Sequence, residues 1–304
     1  MPISKKGSLV EFAEGIDMRR KWHGRVLLAL GMMLIPSVRA SVIYNNLTPN
    51  SSMAMASRPD SGGGFEIESA DDFLLGSPAS ILSASFTGLI VPSALGGSPT
   101  VTQVVVEIYR VFPLDSNTVR TPDVPTRANS PSDVAFDSRD SGSGELSFST
   151  STLNGSFTAL NSVQPGGIHP KPNQTTLGNG PVTGQEVQFN VSFATPFGLQ
   201  DGHYFFIPQV LLSNGGQFYW LSASRPISGS GTTPFAPDLQ AWTRDANLDP
   251  DWLRVGTDIV GGTTPPTFNA AFSLEGTIVP EPSSIVLMIG GLALIGARKY
   301  RASR

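Results

Sequence analysis

The sequence predicts an all-β protein, an antiparallel two-sheet sandwich of jelly-roll or immunoglobulin-like topology, with an N-terminal signal helix and a short C-terminal transmembrane helix at its ends. Three observations predict the sandwich. Between residues 41 and 278 apolar and polar side chains alternate with the two-residue period of strands. Clusters of Gly, Pro, Asn, Asp and Ser separate these runs. No stretch there carries the 3.6-residue apolar period and the caps of a long helix. About ten short strands divided in this way favour two packed sheets, with a closed barrel as the alternative.

The chain divides into three parts: an N-terminal extension and signal peptide over 1–40, one β-sandwich domain over 41–278, and a tail over 279–304. In the first part Arg19, Arg20, Lys21 and Arg25 precede an apolar stretch at 26–35, and Val38-Arg39-Ala40 supplies the small residues of a cleavage site. That is the layout of a secretory signal peptide, and it predicts cleavage between Ala40 and Ser41. Glu11, Glu14 and Asp17 place acid where such a segment carries base, so translation is expected to start at Met18.

Within the domain, strands are expected at 65–68, 81–90, 101–112, 145–149, 156–160, 186–193, 204–210, 217–221 and 267–277. Two loops interrupt this spacing, 114–144 and 161–184, both rich in Pro and read as spacers. The chain has no cysteine, so a large apolar core has to hold the domain together. From 41 to 279 there are 9 Lys or Arg against 20 Asp or Glu, a net charge of −11. An acidic surface argues against nucleic acid as a partner and suits cations, neutral glycans or plain solubility.

The tail has three abutting pieces. Val279-Pro280-Glu281-Pro282 cannot continue a helix or join a sheet, and so forms an extended grip for a processing enzyme. The apolar run 285–297 follows, about 20 Å long as a helix against the roughly 30 Å of hydrocarbon that a settled span crosses. Arg298, Lys299, Arg301 and Arg304 close the chain. Basic residues outside the first and last apolar runs keep both ends in the cytoplasm and the domain outside it.

This order of parts resembles the PEP-CTERM sorting signal of Gram-negative bacteria. The resemblance rests on Pro280, Glu281 and Pro282, the helix after them and the basic cluster containing Arg298 and Lys299. It implies recognition by an exosortase, a membrane-embedded cysteine protease and transpeptidase, which removes the tail and passes the protein to the envelope surface. Exopolysaccharide and biofilm are common associations of that family. An ordinary C-terminal anchor is the alternative, and a Gram-positive sortase signal is disfavoured because Leu-Pro-x-Thr-Gly is absent. Residues 69–75 and 81–88 resemble the opening strands of other sandwich domains that precede this signal, which supports the fold.

Candidates for chemistry are few. Asp245, Asn247, Asp249 and Asp251 offer oxygen ligands at alternate positions, the start of an EF-hand-type calcium loop. Pro250 stands where that loop needs glycine, and a turn capped by these side chains is the competing reading. Trp220, Trp242 and Trp252 are the rings expected to stack on a glycan if a carbohydrate-binding face exists, against core packing. Glu66 and Glu68, spaced for a glycosidase pair, read as a solvated strand face. His169 and His203 suit zinc only if a carboxylate joins them.

No cofactor is expected beyond calcium. The expected role is a non-enzymatic exported envelope or extracellular-matrix protein for structure and adhesion, anchored transiently in the inner membrane and then placed at the cell surface. Its expected partners are an exosortase, the inner membrane before processing, and exopolysaccharide. The alternatives are a calcium-stabilised carbohydrate-binding module and a jelly-roll glycan-active enzyme.

Overall fold

The computed structural model describes residues 40–61, 64–94, 96–119, 124–169, 175–227, 238–279 and 282–303, and for 282–289 the backbone alone. The signal-peptide expectation over 1–39 lies outside the described residues. From there the strands are β1 (Ser41–Asn46), β2 (Pro49–Ala56), β3 (Ile67–Leu75), β4 (Ala79–Val91), β5 (Val101–Arg110), β6 (Asp137–Asp140) and β7 (Leu146–Ala159). They continue with β8 (Ser162–Val163), β9 (Val182–Leu199), β10 (Gly202–Leu212), β11 (Gln217–Ala223), β12 (Trp242–Asp245), β13 (Leu253–Arg254) and β14 (Phe272–Ile278). A helix, α1 (Pro282–Ala302), follows.

The protein is mostly β, in two sheets. β4 organises the larger one. Its sequence alternates Ser and Thr with Ile, Ala and Phe, and both of its edges are used: β9 runs along one, while β14 and then β11 share the other. Phe86 therefore stands between Phe272 and Phe189. β1 extends β14, β2 extends β11, β7 extends β9, and β8 joins β2 as a parallel pair. The smaller sheet has the order β13-β12-β3-β10-β5-β6. Where β4 meets β11 only Gly88 fits, because a Cβ there would come within 2.3 Å of the Phe218 ring and 2.5 Å of the Tyr219 carbonyl.

The sheets are joined by aromatic contacts. Phe206 of β10 stacks on Phe272 at 4.9 Å, meets Trp220 edge-on at 6.0 Å and leans on Phe86 at 6.3 Å. Phe86 and Phe189 stack at 4.9 Å within the larger sheet. Rings at these separations gain from quadrupole alignment as well as from burial. Further rings, among them Phe73, Tyr204 and Phe218, and aliphatic side chains from Met53 and Met55 to Ile259 and Leu274 fill the rest of the core.

Several elements differ from the sequence reading. The two segments 145–149 and 156–160 are one strand, β7, whose Asn154-Gly155 turn signal appears as breaks in register against β9 rather than a reversal. β1, β2, β6, β8, β12 and β13 add to the expected set. β7 carries no charged residue, is exposed along most of its length, and pairs only with β9 among the described strands. The loops are not spacers: the first contains β6 and covers one face of the smaller sheet, and the second contains β8 and the buried Ile168. No helix among the described residues is long and apolar enough to cross a membrane.

Truncating Phe206 removes the ring that touches three others across the sheet interface. Phe206→Ala is expected to lower stability by about 3–5 kcal/mol in urea unfolding. Leu74→Ala, on the half-exposed outer side of β3, should change it by less than about 0.5 kcal/mol.

Candidate functional site

Strand alternation sends Glu68, Ala70 and Asp72 of β3 to the face of the smaller sheet that points away from the larger one. Phe205, Ile207 and Gln209 of β10, Glu107 and Tyr109 of β5, and Trp242 and Arg244 of β12 share that face by register. Residues 111–119, 124–136 and 246–252 close over it. Beneath them lies a second apolar cluster of Ala70, Tyr109, Val111, Phe205, Ile207, Leu239, Trp242 and Trp252.

Arg244 is the centre of this face. Its Nε donates to Glu68 Oε2, and its Nη2 donates to the Tyr109 hydroxyl at 2.8 Å, which in turn donates to Glu68 Oε1 at 2.8 Å. Nη1 reaches the carbonyls of Asp133 and Pro250 and pairs with Asp249 at 2.8 Å. The guanidinium also lies 4.4 Å from the Trp252 ring centre. Burial works against its charge, but Glu68 and Tyr109 beside it raise its pKa overall. A second guanidinium, Arg127, ties the cover together through Asp133 and, at 3.6 Å, Asp251.

Three carboxylates meet beside this pair. One oxygen each from Glu66, Glu68 and Glu107 lie within 4.8 Å of one another. Glu68 is 3% exposed, and Glu66 and Glu107 are half-buried. Burial pushes Glu107 up to about 9; the negative charge of Glu68 and a hydrogen bond to it push the same way. Burial, followed by the charge of Glu68, also raises Glu66. At neutral pH Glu107 therefore holds a proton against Glu68. A neutral acid next to a carboxylate is an acid–base pair, yet both oxygens of Glu68 are already engaged. A cavity of about 310 Å³ on this side of the molecule is lined by Asn129, Asp238, Leu239, Trp242, Arg254 and Thr267, among others, and by none of the three glutamates.

The residues singled out for calcium and for a glycan do not form those sites here. Asp245 Oδ1 accepts from the backbone N–H groups of Asn247 and Leu248, Asp249 pairs with Arg244, and the buried Asp251 pairs with Arg127. Asn247 is exposed. The segment is thus the capped turn of the competing reading, and its carboxylates answer two arginines. The stacking-ring expectation is corrected. Trp220, Trp242 and Trp252 are all at most 1% exposed, with Trp220 in the inter-sheet core and the other two under the cover. Trp220 and Trp252 donate to the carbonyls of Ala271 and Ser132.

Glu68 does not lie on a solvated face, because Arg244 and Tyr109 hold it, while Glu66 beside it is half-buried. His203 Nε2 is 2.5 Å from Asp72 Oδ2, and Leu239 N–H donates to the other oxygen of that carboxylate. His169 is not part of this group. Asp71 faces the core between the sheets and accepts from Ala270 N–H; burial, with Asp72 beside it, raises its pKa well above the carboxylate range.

At the ends, Ala40 and Ser41 are exposed and Ser41 opens β1. Val279 donates its N–H to Pro78 O, Pro282 opens α1, and Arg298 and Lys299 are exposed on that helix. Pro280 and Glu281 lie outside the described residues. Glu107, Tyr109, Gln209 and Arg244 were missed by sequence reasoning. The signal for Glu107 was a lone acid inside Val-Val-Val-Glu-Ile-Tyr, a strand otherwise apolar. Compared with known protein families, curated proteins and solved structures, the chain matches none.

In the folded protein Glu107 keeps its proton up to about pH 9, whereas in the unfolded chain it loses it near the ordinary value of 4.5. The folded state thus binds more protons between these limits, and stability is expected to fall as pH rises through that window. Glu107→Gln, which carries no titrating proton, should flatten that slope in melts recorded from pH 5 to 9 in metal-free buffer. Arg244→Met leaves Glu68 buried without its partner and is expected to cost about 3–5 kcal/mol in urea unfolding.

Proposed function

We propose that this chain is an exported envelope or extracellular-matrix protein whose β-domain serves structure and adhesion, sorted to the surface through its PEP-CTERM-like tail. The observation that carries this reading is the arrangement of the C-terminus. β14 ends at Ile278, Val279 is the last of the described residues with a backbone hydrogen bond to the domain, and α1 then begins within three residues. On α1, Leu292, Leu294 and Ile295 are all more than half exposed, followed by basic residues in the last turn. Such a helix leaves its apolar surface for something other than the domain core, and a membrane is the solvent that suits it. Its apolar run is shorter than a settled span, which suits an anchor held only until an exosortase acts.

On this reading the sandwich is jelly-roll-like. Successive strands repeatedly change sheet: β3 lies in the smaller sheet, β4 in the larger, β5 in the smaller, and β9, β10 and β11 alternate in the same way. With its tryptophans buried and its carboxylates enclosed, the domain's role is display and adhesion rather than turnover, with exopolysaccharide as the associated polymer and no role for nucleic acid.

The test is the intact mass of the protein from its native host, with and without the exosortase. A species that begins at Ser41 and lacks residue 285 onward, found only when the enzyme is present, is expected. A mass retaining Arg304 in both strains would make the tail a permanent anchor and overturn the sorting reading.

A further inference from the structure

The cluster of Glu66, Glu68 and Glu107 is short of positive charge. Arg244 is the cation that contacts it, through Glu68, and Arg244 is also shared with the exposed Asp249. When ionised, three carboxylates facing one guanidinium leave two negative charges in a largely enclosed space, before Asp249 is counted.

A second feature points the same way. Past Phe206 the ladder between β3 and β10 opens, because Pro208 has no N–H to offer and Ser57 enters the gap. The Ser57 hydroxyl donates to Pro208 O and accepts from Ser69 N–H. Gln209 follows, on the same face as Glu107 by its register with β5. It is 1% exposed, and its amide lies against the cluster, with Nε2 donating to Glu66 Oε1 at 2.9 Å. Its carbonyl oxygen is buried and has no hydrogen-bond donor among the described residues. Leaving such an oxygen unsatisfied is costly in any fold, and next to a ring of carboxylates it lacks the same thing they lack.

We propose that Glu66, Glu68 and Glu107, with the amide oxygen of Gln209, form a calcium site on the covered face of the smaller sheet. The donors are all oxygen, three of them carboxylate, which selects a hard divalent cation over zinc or copper. Oxygens within 4.8 Å of one another can be bridged by an ion with bonds of about 2.4 Å. Magnesium demands a tighter octahedron and gives up water reluctantly, so it is the weaker competitor. The ion links β3, β10 and β5 where the ladder between β3 and β10 has opened, so its role is structural. Each carboxylate oxygen keeps a second lone pair beside the hydrogen bonds it already accepts; the site is distinct from the turn at 245–251, which lies in the cover.

The test uses the full chain, stripped of metal and titrated with calcium chloride, read by calorimetry and by melting temperature. Saturable one-site binding is expected, with a rise in melting temperature of about 3–6 °C at ten times the dissociation constant. Glu107→Gln keeps the shape of the protonated side chain, so without calcium it should fold and, at neutral pH, melt no lower than the parent, yet bind calcium at least about tenfold more weakly. Glu66→Gln, at the half-buried rim, gives the same readout should Glu107→Gln fail to fold. Asp249→Asn should bind calcium within about twofold of the parent. A folded parent with neither binding heat nor a shift at 10 mM calcium, a tested glutamate variant with parental affinity, or loss of binding confined to Asp249→Asn would each overturn the proposal.

Discussion

The buried pair of Arg244 and Glu68 determines how one whole face of this protein is built. A guanidinium and a carboxylate, each about 5% exposed or less, are costly to remove from water, and their mutual attraction offsets that only when every remaining donor and acceptor is used. Here they are used. Tyr109 bridges the pair from β5, the carbonyls of Asp133 and Pro250 come down from the cover, and Trp252 lies across the guanidinium. The segments 124–136 and 246–252 are thereby fixed to the sheet by hydrogen bonds as much as by apolar contact. Arg127 repeats the device one layer out, using Asp133 and Asp251.

That arrangement explains why the outer half of the domain was hard to read from sequence while the inner half was not. β4, β5, β10 and β11 show their period because one face meets the aromatic interface around Phe206 and their neighbours in sequence are turn formers. β12 does not. Trp242-Thr243-Arg244-Asp245 reads as the polar entry to a turn, and only its partner on β3, 176 residues away, makes a buried strand of it. β3 misled in the opposite direction: with both faces covered, all but one of its nine residues are buried, and Glu68 looks from sequence like a solvated alternate. The tryptophans suffered the same ambiguity, since an indole that caps a buried arginine and one that stacks on a sugar have the same neighbours in sequence.

The carboxylate cluster was half legible. Two of its members are adjacent alternates, and their shared face was evident; the third arrives from β5 and the amide from β10, brought in by strand pairing that no spacing rule supplies. The aspartates at 245–251 advertised themselves more loudly because they are contiguous. Contiguity turned out to serve a turn and two ion pairs, while the convergence of acid groups was assembled from separate strands. The tail was legible in the reverse sense, since its order of proline, apolar run and base is written entirely in local sequence.

β7 has a consequence for how these molecules behave in company. A long strand at a sheet edge, without charge and rich in Ser and Thr, is a template onto which another chain can add hydrogen bonds. Here the ladder with β9 slips twice, between Thr152 and Asn154 and between Asn154 and Phe157. Each slip increases local twist and takes the row of free N–H and C=O groups out of a straight line. The regular ladder is thereby cut into two short stretches, Leu146 to Thr152 and Phe157 to Ala159. An irregularity in the middle of the strand thus does the work that a lysine or a proline does at other edges, and it limits sheet-to-sheet polymerisation when many copies are crowded together.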